Sequence, residues 1–228
     1  MSIWLSNPFG AAPKRLDSQI DTPRVYRQEQ LPRALRWETV RTLLESIDRT
    51  SAVGRRDYAM LLLIATYGLR SSEIVALTLD HFAWPRGELR VPRRKVDGVL
   101  TLPLTDDAGT AVLDYIRHGR PTLPTRVLFL RVRPPAGLLK PTAVTEVFQT
   151  RARHSGLTIP FQGPHCLRHS LAVQLLRAGV SLKAIGDVLG HRSLESTCLY
   201  LRLATEDLRE VALDLPDSTT DTCPEVRA

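Results

Sequence analysis

Four short segments carry the side chains best suited to chemistry. Thr66-Tyr-Gly-Leu-Arg-Ser-Ser-Glu73 sets Arg70 just past a glycine and Glu73 one turn further on. Arg93-Arg-Lys-Val-Asp-Gly98 presents Lys95 beside Arg93 and Arg94. Pro164-His-Cys-Leu-Arg-His169 holds His165 and Arg168 three residues apart, a spacing that puts both on one face of a helix. Leu189-Gly-His-Arg-Ser-Leu-Glu-Ser-Thr-Cys-Leu-Tyr200 ends the series, with His191 nine residues before Tyr200. Two guanidiniums, planar and permanently protonated, can grip an anionic oxygen pair by forked hydrogen bonds. A tyrosine hydroxyl, with a free pKa of about 10, becomes a nucleophile once something helps remove its proton. Imidazole and ammonium groups are of the kind that move such protons.

Elements must place these groups. Val40, Leu43, Leu44 and Ile47 follow the i, i+3, i+4, i+7 stripe of a helix. A second helix is expected over about 55–67, with Tyr58, Leu61, Leu62 and Ala65 inward and Gly68 as its stop. A third opens at Ser71 or Ser72 as N-cap and carries Ile74, Val75 and Leu77. Glu88–Val91 and Val99–Leu102 flank Asp97-Gly98, a strong turn dipeptide, and read as a hairpin that would carry Lys95. Helices are expected at about 106–118 and 142–154, with Val127–Leu130 a lone strand. Three helical stretches separated by Gly179 and Gly190 follow Pro164. Residues 1–30, with Pro8, Pro13, Pro23 and Gly10 and no sustained period, read as an arm or linker. Residues 31–213 read as one mainly α domain with a small antiparallel β-hairpin, and 214–228 as a polar tail.

Composition narrows the classes. The chain of 228 residues is long enough to bury a sizeable core. Its longest apolar run, Tyr58 to Ala65, is far short of a bilayer span of about 20 residues, and the N-terminus lacks a basic-then-apolar leader pattern. A cytoplasmic protein without a membrane partner is expected. The three cysteines, Cys166, Cys198 and Cys223, show no paired spacing, so reduced thiols are expected. The net charge of +7 points weakly to a polyanionic partner. His165 and His169 lie four apart as in zinc-binding helices, but Cys166 stands where such a motif has glutamate. Mechanisms built on two metals need converging carboxylates, and Glu73 is the one acidic residue of the four segments placed near the candidate site. No metal and no other cofactor is expected.

In this order the four segments resemble the tyrosine recombinase (phage integrase) family over about residues 31–210. The family has its arginine in a T-G-L-R-x-S-E-like segment, its lysine on a β-hairpin, and an H-x-L-R-H segment opening a helix. Its L-G-H segment precedes the tyrosine by the spacing seen here. The resemblance implies the catalytic-domain fold of DNA breaking–rejoining enzymes. It implies Tyr200 as nucleophile on a DNA phosphodiester and Arg70 and Arg168 on its oxygens. His165 would help Tyr200 lose its proton, His191 would hydrogen-bond the scissile phosphate, and Lys95 would give a proton to the departing 5′ oxygen. Glu73 and His169 are expected in support, the first buttressing Arg70 or its helix, the second as a structural histidine. Arg93 and Arg94 are candidates for the DNA backbone.

The expected activity is site-specific recombination through a 3′-phosphotyrosyl link, used in integration, excision, inversion or resolution, on double-stranded DNA of the nucleoid. A homotetramer on paired sites is implied, with the segment after Tyr200, about Thr205–Leu213, docking in trans. Family members usually carry an N-terminal helical DNA-binding domain, whereas about thirty irregular residues stand before the catalytic fold here, so an accessory DNA-binding protein is a candidate partner. Two rivals are a type IB topoisomerase, which shares the active-site logic, and a DNA-binding regulator that keeps the fold without cutting. The H-x-L-R-H and L-G-H segments disfavour the first. The presence of the full residue set disfavours the second.

Overall fold

A computed structural model describes residues 33–92, 98–161, 163–190 and 196–201. Helix α1 (Trp37–Glu45) turns Val40 and Leu43 into the core, and Ile47 joins them from beyond its end. Helix α2 (Ala52–Tyr67) begins three residues before the expected start, because the Ser51 hydroxyl caps it by accepting the Gly54 N–H at 3.0 Å. It ends at Gly68, whose φ of 64° lets its N–H close back on Ile64 O. The stripe expected on α2 is a ring instead. Ala59, Met60, Leu61, Leu63, Ile64 and Ala65 are all buried, while Tyr58 and Leu62 are only partly so. The helix is packed by α1 on one side and by the helices Asp106–His118, Pro141–His154 and His165–Arg177 on the others, and a helix surrounded in this way has no polar face to set a period.

Helix α3 (Ser71–Ala76) takes Arg70, not Ser71 or Ser72, as its N-cap. The Glu73 carboxylate, three residues into the helix, accepts the Arg70 backbone N–H at 2.8 Å, which replaces the hydroxyl cap expected from the serines. Strands β1 (Phe82–Ala83), β2 (Glu88–Pro92) and β3 (Val99–Pro103) form an antiparallel sheet in that order. Leu89 faces Leu102 and Val91 faces Leu100, so the alternating apolar set lies on the core side. The tip that would carry Arg93, Arg94 and Lys95 lies outside the described residues.

Helix α4 (Asp106–His118) fills the expected span, capped by the Thr105 hydroxyl, and α5 (Pro141–His154) starts with Pro141 at its first position. The lone strand expected at 127–130 is resolved differently. Val127 makes a single bridge to Thr78, and β4 (Leu130–Arg131) pairs with β5 (Gly137–Leu138), two-residue strands held by their surroundings rather than by propensity. Under this hairpin lies a buried ion cluster. Both Asp57 oxygens are gripped, one by Arg56 at 2.7–2.9 Å and the other by Arg151 of α5 at 2.6–2.9 Å.

Helices α6 (His165–Arg177) and α7 (Leu182–Leu189) are followed by a helical stretch at 196–201. Leu171, Ala172, Val173, Ile185, Leu189 and Tyr200 form a second, smaller apolar cluster beside the main core. Gly68 sits where the two meet. A Cβ there would come within 2.5 Å of Leu189 Cδ2, so both its dihedral and its close packing require glycine. The fold is thus mainly α with small antiparallel sheets. The residues read as arm and tail, and the 205–213 segment, lie outside the described residues. No helix among the described residues is long and apolar enough to cross a membrane.

Candidate active site

The site forms where three chain turns converge: the α2–α3 junction, the start of α6, and the end of α7 with the 196–201 helix. Arg168 is 4% exposed on the first turn of α6 and donates to Gly68 O at the end of α2 and to Leu189 O at the end of α7. Arg70 projects from the α3 N-cap, donates to Glu73 at 2.9 Å and to Gly190 O at 3.0 Å. Both guanidiniums therefore hold carbonyls at helix C-termini, the negative ends of the backbone dipoles. They pin the end of α7, and with it the residue that precedes His191, to the main core. Glu73 grips Arg70 twice, through the side chain and through the backbone N–H.

Tyr200, 2% exposed, lies near enough to this pair to feel both charges. Its hydroxyl is 2.8 Å from His169 Nδ1, with the rings tilted by 51° and their centroids 5.7 Å apart. Burial pushes the hydroxyl above the usual phenol range, and the charges of Arg168 and Arg70 pull it back in part. The phenol keeps its proton in this arrangement. Two other tyrosines serve as a contrast. Tyr67 accepts the Thr105 N–H at 2.9 Å and Tyr115 accepts the Leu130 N–H at 3.1 Å, each tying one element to the next. Tyr200 is the described tyrosine that meets an imidazole beside two arginines.

His165, at the head of α6, is exposed, and its ring centroid is 6.3 Å from that of His169. Desolvation of the ring, then the positive charges of Arg168 and Arg70, lower its pKa below the ordinary imidazole range, which favours the neutral ring. The imidazole in hydrogen-bond contact with Tyr200 here is His169, not His165. His191 and Lys95, and Arg93 and Arg94 with it, lie outside the described residues. Burial pushes the Cys166 thiol up to about 12, the behaviour of a packing residue. Among the described residues no three His, Cys, Asp or Glu side chains converge as a metal site would require.

A basic groove on the surface lies apart from the four motif segments. This open groove of about 510 Å³ beside β4, β5 and the start of α5 is lined by Arg131, Arg133 and Lys140. The alternation Arg131-Val132-Arg133, which puts both guanidiniums on one side of an extended segment, was the available signal.

The phage integrase family model matches residues 33–207, more than three quarters of the chain. The chain belongs to this family. A putative integrase/recombinase of Sinorhizobium fredii (strain NBRC 101917 / NGR234), y4gC, is 43% identical over 188 residues, which cover 82% of this chain and 97% of that protein. Another from the same organism, y4rA, is 42% identical over 187 residues, covering 82% of this chain but 45% of that protein. The chain thus spans nearly all of one curated relative and about half the length of another. Among solved structures, the XerH site-specific recombinase bound to palindromic difH substrate, a post-cleavage complex, superposes with a TM-score of 0.68 at 23% identity. That match covers 80% of this chain and 53% of the XerH chain, and it shows that this member of the family has the tyrosine recombinase catalytic-domain fold.

Proposed function

We propose that this integrase-family chain is a site-specific DNA recombinase that cuts and rejoins strands through Tyr200. The observation that carries the reading is the convergence of Arg70, Arg168, His165 and Tyr200 from three distant parts of the chain onto one spot. A phosphodiester is anionic and repels nucleophiles, and its transition state spreads further charge over the phosphoryl oxygens. Arg70 and Arg168 hold those oxygens with the donors of their two forks. Tyr200 Oη attacks phosphorus, the P–O5′ bond breaks, and a 3′-phosphotyrosyl link forms with release of a 5′-hydroxyl. The tyrosine proton leaves to a neutral imidazole or water, and Lys95, on the family pattern, protonates the departing O5′. His191 hydrogen-bonds the phosphate. Rejoining reverses these steps with another 5′-hydroxyl, so the energy of the ester is kept and no ATP is consumed.

The partner is double-stranded DNA, for which the groove at Arg131, Arg133 and Lys140 offers further backbone contacts alongside Arg93 and Arg94. Strand exchange takes place in a tetramer on paired sites, with the segment after Tyr200 docking on a neighbour and an accessory DNA-binding protein as candidate helper. The cell compartment is the cytoplasm, at the nucleoid. In the arrangement observed, Tyr200 is protonated and buried, which is a resting state of the nucleophile.

The test uses a pool of nicked suicide duplexes with randomised arms, incubated with the protein in EDTA and recovered under denaturing conditions. Protein-linked strands are expected from the wild type and none from Tyr200→Phe. A chain that binds duplex but links no member of the pool would be a regulator rather than a recombinase. Linkage that disappears only in EDTA would point to a metal mechanism.

A further inference from the structure

His169 was expected to be a structural histidine, yet its neighbour is the proposed nucleophile itself. It sits one turn after His165 on α6 and directly follows Arg168, which is anchored to both Gly68 and Leu189. Its backbone position is therefore among the most firmly held in the site. Tyr200 has the opposite setting. It lies on the 196–201 helix, and its ring is buried among Leu171, Ala172, Val173, Ile185 and Leu189, contacts that fix the ring's depth but not the direction of its hydroxyl. A buried phenol hydroxyl left without a partner is costly, so the group that bonds it sets its direction. At 2.8 Å from Oη, His169 Nδ1 is placed to do so.

Resting on the reading of Tyr200 as nucleophile, we propose that His169 is a positioning residue for cleavage: its Nδ1 holds the Tyr200 hydroxyl beside Arg70 and Arg168. Reactions of this kind are sensitive to such placement, and an error of about 1 Å in a reacting atom can cost about 100-fold in rate. His165, whose ring centroid is 6.3 Å from that of His169, remains a separate imidazole at the head of α6.

The contacting atom gives the proposal a specific test. An asparagine side chain places a polar atom at the reach of Nδ1, whereas glutamine reaches towards the position of Nε2. His169→Asn is therefore expected to keep the hydroxyl in place, and His169→Ala and His169→Gln to release it. Single-turnover formation of the covalent adduct on the nicked pool should slow about 30-fold or more in His169→Ala and His169→Gln. His169→Asn should stay within about fivefold of wild type, since it preserves the hydrogen bond while removing the imidazole. Binding of duplex by all three should match wild type, because each leaves Arg70 and Arg168 in the chain. A wild-type rate in His169→Ala would overturn the proposal. A rate in His169→Asn as low as in His169→Ala would also overturn it, by showing that the imidazole's proton chemistry matters and not its position. A thermal-melting cycle gives a readout independent of activity. His169→Ala should lower the Tm by more with Tyr200 present than in a Tyr200→Phe background; equal losses in both backgrounds would show no coupling. Failure of the nucleophile reading looks different: the adduct would persist in Tyr200→Phe, whatever His169 does.

Discussion

The main core and the small C-terminal cluster are built from the same kinds of side chain but to different ends. Around α2 the chain buries aliphatic and aromatic residues from α1, α3, α4, α5 and the three-stranded sheet, and locks α2 to α5 through the Asp57 ion cluster. The second cluster has, among the described residues, six buried side chains on α6, α7 and the 196–201 helix, and one of them is Tyr200, the proposed nucleophile. Arg168 and Arg70 stand at the seam, held by the large core and reaching across to the carbonyls of Leu189 and Gly190. The difference separates two requirements. A phosphate cradle must be rigid to be selective for the transition state. A nucleophile that is buried and protonated at rest must be able to move or be re-solvated, and elements that do so are drawn from the less stable parts of a fold.

Perturbing the seam should have the largest consequence. Arg168→Ala removes a proposed phosphate clamp and frees the carbonyls of Gly68 and Leu189, so adduct formation should fall by about 10³-fold or more. Arg168→Lys should recover the charge but little of the rate, because an ammonium cannot bridge two carbonyls as the fork does. Next in size, Phe148→Ala opens a cavity in the main core and should cost about 3–5 kcal/mol in denaturant unfolding, with the adduct rate of the remaining folded protein little changed. Ile185→Ala should invert that pattern. Its cost in global unfolding should be about 2 kcal/mol, at the low end for such truncations because the cluster is small, while hydrogen exchange at 196–201 accelerates and the adduct rate changes. If Phe148→Ala and Ile185→Ala affect rate and stability in the same proportion, the two regions are one mechanical unit and the contrast fails.

The smallest expected effect concerns pH. His81 is lowered below the ordinary imidazole range by burial, and its Nδ1 accepts the Thr78 N–H at 3.0 Å; His165 is lowered as well, by desolvation and then by Arg168 and Arg70. In both, the unfolded chain takes up a proton more readily than the folded one. Their contribution to stability is present above the unfolded histidine pKa of about 6.5 and is lost as pH falls through the folded values. Melting curves should therefore drop between pH 7 and pH 5, and the drop should shrink in His81→Asn. A melting temperature that rises over this interval, in wild type, would contradict the sign.

Much of this was legible in the sequence for local reasons. Helix α4 and the hairpin strands follow from period, cap and turn residues that lie within a few positions of each other. Gly68 marked the end of α2 because a left-handed residue was needed there. Other features depend on distant partners. The α2 helix showed no stripe because neighbours surround it. The cap of α3 passed from serine to the Arg70–Glu73 pair because the arginine is itself held by Gly190. Asp57 and Arg151 are 94 positions apart, and nothing local distinguishes Asp57 from a surface carboxylate. The candidate site was legible as a set of residue types in order, which is what the resemblance used. Which histidine meets Tyr200 was not, since His165 and His169 share a face of α6 and only the path of the 196–201 helix chooses between them.

The most direct measurement of the central claim is the identity of the amino acid joined to DNA. Adduct from the nicked duplex pool would be digested with protease and nuclease, and the peptide that carries the residual nucleotide sequenced by mass spectrometry. The account predicts a 3′-phosphate on Tyr200 and on no other residue. A nucleotide on any other side chain, or adduct peptides with Tyr200 unmodified, would contradict it.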